Sequence, residues 1–527
     1  MAVGGSAVLV GLLLGAVNLY WGDLNQDEGW YLYAARQVAE GRLPYLDFAF
    51  TQGPMLPLVY AAAEPLVDRW GVGGGRLFTL LLGMAGSLLA AWTAARASPR
   101  GGRATGALVA LILLTCNVYQ SYFTVVVKTY SLTGLFLAAG LLALSYAQAR
   151  LGKEACFASG ALLALAAGTR ISAGMALPAA GIALLLARRR VRPLGWVLFG
   201  AGGALGLASW SLPFHLLAPD GFRFALFEYH AGRTAGSVIS QLVYKAGFLS
   251  RFVQGFAVAF ALGASLVLLR RFRRAEMPAA AGGDALGAWF NRALWAVGGA
   301  ITLLHVAAPF PYEDYQVFVF PVFAAALGAA AARAAAPAGF PARARWAVLS
   351  VFAASVLASF SSPVNQGWVV RGRDRIWWRL KEQPALQQLR EVGLWLAEMA
   401  GPGGELLTQD PYLAVEAGLR VPPGLEMGPF SCFPDLPRER ARALRVINRE
   451  MLQELLATSP APVAAFSGYG LSIASPQVTE LAPEDRAALW EIVERRYEEV
   501  CRVPDFGQAF TALRILVRKD LLEHFGP

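Results

Sequence analysis

The sequence predicts a polytopic α-helical membrane protein followed by a small α/β domain. Three observations carry that prediction. Only 16% of the residues are charged and 56% are hydrophobic, whereas a soluble globular chain carries about 25% charge. Apolar runs of near-span length recur through residues 1–362. Beyond Ser362 charge returns and the apolar runs shrink to strand length. Mean hydropathy is +0.46. The net charge of +10 reads as membrane topology rather than nucleic-acid binding. The cysteines, Cys116, Cys156, Cys432 and Cys501, have no metal-ligand spacing.

Eleven candidate spans centre on Leu13, Leu82, Leu111, Ala138, Leu163, Ile182, Gly203, Leu262, Gly299, Ala325 and Ala353. Val8 to Trp21 reads as a retained first helix. The fifth and sixth spans meet at Gly168-Thr169-Arg170-Ile171-Ser172 and read as abbreviated or broken helices. With the N-terminus cytoplasmic, the inner loops hold seventeen Lys and Arg against three acids, including Arg188-Arg189-Arg190 and the Arg270 to Arg274 cluster. That asymmetry obeys the positive-inside rule and places the C-terminal domain outside. The multi-pass chain belongs by this reading in the plasma (inner) membrane.

Three segments then face outward. The first loop, 23–75, contains a short helix at Trp30 to Glu40 and an interfacial helix at Pro54 to Trp70. Gly71 to Gly75 reads as a turn before the next span, since no strand precedes it and no P-loop lysine follows. The second loop, Pro219 to Arg251, carries Glu228, His230, Arg233 and Lys245. The third is Pro309 to Tyr315. Residues 363–527 form the α/β domain, with strands at Glu405 to Gln409, Val463 to Phe466 and Ala512 to Val517. Helices are expected at Ala385 to Met399, Arg438 to Ala457 and Pro483 to Arg496. Cys432 and Cys501 both lie there, as a disulfide or as free thiols. Arg371 to Lys381, with Trp377 and Trp378, reads as an interfacial helix on anionic headgroups.

The chemistry concentrates in Asn25-Gln26-Asp27-Glu28-Gly29-Trp30-Tyr31. An acidic pair at a helix start suits the helix dipole without any further role. Here, however, Asp27, Glu28 and Asp47 interleave with Trp30, Tyr31, Tyr33, Tyr45, Phe48 and Phe50, a mixture suited to an amphiphilic ligand at the bilayer surface.

This loop resembles one in the GT-C superfamily of polyprenyl-phosphate-dependent glycosyltransferases. The likeness rests on the Asp27-Glu28 pair followed by GRLPYLDFAFTQGPMLPLVYA. It points to the branch of protein O-mannosyltransferases and the lipid A aminoarabinose transferase (glycosyltransferase family 39-like). Further matches are Arg76-Leu77 at the second span and LAAGTRISAG, with Arg170 where the family favours Lys. YEDYQVFVFPVFAAALG also matches, but Glu313-Asp314 stands where a basic residue is common. LLTQDPYLAVEAGLRVPPGLEMGPF is similar to the family's appended external domain.

The resemblance implies a sugar donor on a polyprenyl phosphate and an acceptor hydroxyl on a glycan, lipid or protein, joined with inversion. Asp27 would be the general base, Glu28 would orient the acceptor or tune Asp27, and Asp47 is the reserve carboxylate. Arg170, Lys128, Arg233 and Lys245 are the candidates for the donor phosphate. Glu313, Asp314 and His305 could contact acceptor or metal. A divalent metal such as Mg²⁺ or Mn²⁺ stays open, with Asp27, Glu28, Asp47, Glu313 and Asp314 as oxygen donors. Competing readings are a transporter or flippase of lipid-linked sugars and a non-catalytic scaffold. Against transport, the charges gather at one face rather than at midplane.

Overall fold

The computed structural model describes residues 2–187, 191–231, 237–273, 285–335, 341–361, 383–469, 471, 480–507 and 511–525. Each of the eleven span centres falls inside a helix. Among the described residues three helices are long and apolar enough to cross a membrane: Gly4–Trp21, Val72–Ala97 and Pro193–Leu217. Two bent pairs, Arg100–Thr115 with Val118–Val125 and Val238–Gly255 with Ala257–Leu269, raise that number to five. Four further apolar helices are shorter, among them Thr129–Leu144 and Phe320–Ala335. The eleven candidate centres therefore lie in helices of uneven length, several of them short. At about 1.5 Å per residue, the sixteen residues of Thr129–Leu144 cover only about 24 Å.

Small residues let these helices approach closely. A Cβ at Gly160 would lie 2.1 Å from the Phe199 carbonyl oxygen, and one at Gly202 would lie 2.1 Å from that of Phe157. Gly152–Thr169 and Pro193–Leu217 thus pack backbone to backbone, the mode expected where lipid removes the usual hydrophobic drive between helices. At Gly168 to Ser172 the chain breaks as expected. Gly152–Thr169 ends, Arg170 turns extended, and a 3₁₀ segment, Ile171–Met175, leads into Ala176–Leu186.

The first loop folds into a helix, Gln26–Ala39, that starts four residues earlier than its apolar pattern suggests. Asn25 caps it: its Oδ1 accepts from the Asp27 N–H at 3.0 Å, while the Asn25 N–H donates to Glu28 Oε2 at 2.9 Å. This is a capping box with Glu28 at its third position. The expected interfacial helix is instead three pieces, Met55–Tyr60, Ala61–Ala63 and Glu64–Trp70, with Leu56 and Tyr60 buried. Pro65 stands at the start of the last piece, where its missing N–H costs nothing.

The C-terminal region is a four-stranded sheet in the order β1-β2-β4-β3. The strands are β1 (Leu406–Thr408), β2 (Val463–Phe466), β3 (Tyr497–Phe506) and β4 (Thr511–Arg518). β1 and β2 are parallel, and the other pairs are antiparallel. Three strands match the sequence reading. β3 was not foreseen, because Tyr-Glu-Glu-Val-Cys-Arg-Val-Pro reads as a charged loop. It is an edge strand, where charge and Pro504 are tolerated. Ala385–Ala400 buries Leu389, Val392 and Leu396 at helical spacing and packs chiefly on the helix Pro411–Ala417. The expected helix over Arg438 to Ala457 is two, Arg438–Ala443 and Arg449–Thr458. Cys432 is buried, Cys501 half-buried, and both are free thiols.

This domain is not a loosely tethered cap. Arg36 of the first-loop helix donates to the carbonyls of Ala414, Val415 and Leu419, and pairs with Glu64 at 2.9 Å. The Val421 N–H donates to Tyr33 Oη at 3.0 Å, and Gly29 lies against the backbone of Tyr412. Glu416 accepts from the free Val72 N–H that opens helix Val72–Ala97. The loop between Pro219 and Arg251 joins through Arg440 and Glu228.

Two carboxyls in the domain make its stability depend on pH. Burial raises Glu426 to about 7 and Asp410 to about 6. The native state therefore holds protons that the unfolded chain, with carboxyls near 4, has released. What these two groups add to stability is fully present below about pH 4 and is lost as pH rises through 6 to 7, by about 3 kcal/mol for Glu426. The Glu426→Gln variant should narrow the difference in melting temperature between pH 5 and pH 8, measured in detergent.

Candidate active site

The two acids that open the first-loop helix have separate fates. Glu28 is wholly buried. Its two oxygens accept from Arg76 Nε and Nη2, both at 2.7 Å. Arg76 also donates to the carbonyls of Gly22 and Asp23 at 2.8 Å. The Val127 N–H adds a longer bond to Glu28 at 3.3 Å. Glu28 thus binds three chain segments together: the end of the first helix, the start of Val72–Ala97, and the residue before Lys128. Its carboxylate is turned to Arg76 and away from solvent.

Asp27, one residue earlier on the helical spiral, points the other way, and 23% of its side chain is exposed. Its Oδ1 accepts from Trp30 Nε1 at 3.2 Å. Its Oδ2 lies 3.3 Å from Lys128 Nζ. That ammonium also donates to Asp314 Oδ2 at 2.9 Å. Lys128 is held here because it sits between two helices, Val118–Val125 and Thr129–Leu144, at the N-cap of the second. Asp314 comes from the 3₁₀ turn Glu313–Gln316. Burial pushes its carboxyl up, but Lys128, Tyr130 and Arg170 outweigh burial and hold it below the usual carboxylate range.

Arg170 completes the cluster. Its guanidinium stacks over Tyr315 at 4.2 Å and Tyr130 at 5.1 Å. Its Nη1 donates to Thr129 Oγ1 at 3.1 Å, while its buried Nε has no hydrogen-bond partner. Thr129 opens a sixteen-residue helix, so free N–H groups and two cations converge at one point. Such an arrangement suits an anion. Beside it, Trp30, Tyr31, Phe50 and Phe430 form an aromatic wall, with Trp30 and Tyr31 centroids 4.0 Å apart. Phe430 belongs to the α/β domain.

Asp27, Lys128, Arg170 and Asp314 are therefore brought together. The other described sequence candidates are not part of this cluster. Asp47 Oδ2 accepts from the Leu43 N–H at 2.7 Å and shapes its own turn. Glu313 pairs with Arg251. Lys245 is half-buried on the amphipathic helix Val238–Gly255, but Arg251 is the residue of that helix that reaches the turn. Arg233 lies outside the described residues, as do Arg371 to Lys381. His305 is buried in a polar chain: one ring nitrogen meets Ser172 Oγ, the other Gln316 Nε2, both at 3.0 Å. Sequence reasoning missed Arg76, Tyr130, Tyr315 and Arg251 as partners, because each gains its role from a residue 40 or more positions away.

The residues present do not fit a divalent metal. Asp27 and Asp314 share an ammonium, Glu28 is saturated by Arg76, Glu313 by Arg251, and His305 uses both nitrogens. Among the described residues no three His, Cys, Asp or Glu side chains converge.

The fold and this cluster define a class: a many-helix protein with apolar helices long enough to cross a membrane, which shares its fold with solved structures. In particular it is similar to ArnT from Cupriavidus metallidurans. The apo structure of that protein matches with a TM-score of 0.62 and 17% identity over 98% of each chain. Its structure bound to undecaprenyl phosphate matches at 0.60 and 16% identity over 97% of each chain. The oligosaccharyltransferase of Archaeoglobus fulgidus, in complex with Zn and sulfate, matches at 0.54 and 12% identity, covering 95% of this chain and 72% of that one. At these identities the likeness is one of fold. No family model and no curated protein matches the sequence.

Proposed function

We propose that this chain is a membrane glycosyltransferase. It moves a sugar from a polyprenyl-phosphate-linked donor to an acceptor hydroxyl at the outer face, with inversion. The observation that carries this reading is the Asp27–Lys128–Asp314 chain of charges beside Arg170, at a helix N-terminus. The fold adds support, since ArnT shares it and was crystallised with undecaprenyl phosphate.

The roles follow from geometry. Asp27 is the exposed carboxylate and takes the proton from the acceptor hydroxyl. The acceptor oxygen bonds to the anomeric carbon as the bond from that carbon to the phosphate oxygen breaks. The electron pair leaves with the phosphate, which Lys128, Arg170 and the Thr129 helix start stabilise. A phosphate is already a good leaving group and needs no paired general acid, unlike the two-carboxylate glycosidases. The aromatic wall holds the apolar faces of the sugar. Glu28 and Arg76 hold Asp27 and Lys128 in register.

In this reading the eleven helices cross the membrane with the N-terminus inside. The first two outer segments meet the α/β domain through Arg36, Glu228 and the Gly29–Tyr412 contact, and the third joins the second through Glu313 and Arg251, which supports one shared outer face. The test has two arms. Undecaprenyl phosphate should bind about 10–100-fold more weakly to Lys128→Gln, the worth of a charge-assisted hydrogen bond. Mass spectrometry should find a glycosylated product in cells that make the protein and its loss in cells that do not. Movement of lipid-linked sugar across vesicles without any glycosidic product would overturn the reading in favour of a transporter.

A further inference from the structure

We propose that the Lys128 ammonium is shared between carboxylates and donor: in the ligand-free chain it rests on Asp27 and Asp314, and the donor phosphate draws it off Asp27. This rests on the reading of Lys128 as a phosphate ligand. It adds an order of events, with donor binding first and base release second.

Three observations support it. The two contacts are unequal, 2.9 Å to Asp314 and 3.3 Å to Asp27. Asp314 is nearly buried and Tyr130 also hydrogen-bonds to it, so that end is anchored. Asp27 is more exposed and keeps a second tie to Trp30, so it can lose the ammonium without losing its place. The cluster also balances as it stands: Lys128 and Arg170 carry two positive charges, Asp27 and Asp314 two negative ones. A phosphate adds negative charge to a site of low dielectric, and each ion there needs a partner. The arriving anion is satisfied only if a cation changes partner. Arg170 has an unbonded Nε to offer at once; the mobile ammonium is Lys128.

The consequence is chemical. Until the donor is seated, Asp27 is occupied and cannot take a proton from an acceptor. Once the phosphate holds Lys128, Asp27 stands bare beside Trp30, facing the acceptor. After transfer the freed phosphate departs and Lys128 returns to Asp27. Asp314 is on this account a positioning residue that keeps the ammonium within reach of both.

The test is direct binding of undecaprenyl phosphate to the full chain in nanodiscs. Both carboxylates compete with phosphate for one ammonium, so Asp27→Asn and Asp314→Asn should each bind it more tightly, by at least about fivefold. Lys128→Gln should bind it more weakly. If Asp314→Asn fails to fold, Asp27→Asn decides alone, since its side chain is partly exposed. Unchanged or weaker binding by Asp27→Asn, with Lys128→Gln still weak, overturns the sharing and leaves the phosphate site standing. Unchanged binding by Lys128→Gln overturns the phosphate site itself.

Discussion

The Asp27→Asn variant is expected to lose transfer by about 10²–10⁴-fold in kcat, the range a positioned general base contributes. Asn keeps the shape and can still accept from Trp30 Nε1, so the helix cap and the aromatic wall should survive. Binding of undecaprenyl phosphate should be no weaker than in the parent. That split separates a base from a structural acid: turnover collapses while the donor site remains. The measurement is single-turnover transfer from a lipid-linked sugar, beside a binding titration on the same preparation. Equal turnover in variant and parent would remove Asp27 from the chemistry.

The Arg76→Ala variant should have the largest effect on stability, about 3–5 kcal/mol. The Glu28 carboxylate would remain wholly buried with no countercharge, and the carbonyls of Gly22 and Asp23 would lose their donor. Breaking one half of a buried pair costs far more than an exposed pair such as Arg438 with Glu454 is worth. Thermal unfolding in detergent, with Arg438→Ala as the comparison, checks it. A melting temperature within a degree or two of the parent would mean that Glu28 finds another partner.

These two residues also mark how far the sequence could be read. Asp27 and Glu28 were visible as a pair because acids are rare in so apolar a chain, and their place at a helix start is a local property. Sequence could not tell them apart. Adjacent residues on a helix point about 100° apart, so one is wholly buried and the other partly exposed. Which is which depends on where Arg76 and Lys128 come to lie. The strands β1, β2 and β4 were legible because buried strands are short apolar runs. β3 was not, because an edge strand exposes half its side chains. The metal question shows the same limit: five carboxylates in sequence suggest a ligand set, but four of them pair with cations from elsewhere in the chain and Asp47 with the Leu43 N–H of its own turn.

The sequence by itself determined the class of solvent each segment meets. Hydropathy, the placement of Arg clusters and the return of charge after Ser362 are sums over many residues, and no single contact alters them. Only the tertiary structure decided partnership: Glu28 with Arg76, Asp27 and Asp314 about one ammonium, and the α/β domain clamped onto the first-loop helix through Arg36 and Tyr33. Ion pairs and hydrogen bonds act over about 3 Å, and residues that far apart in space are often a hundred or more apart along the chain.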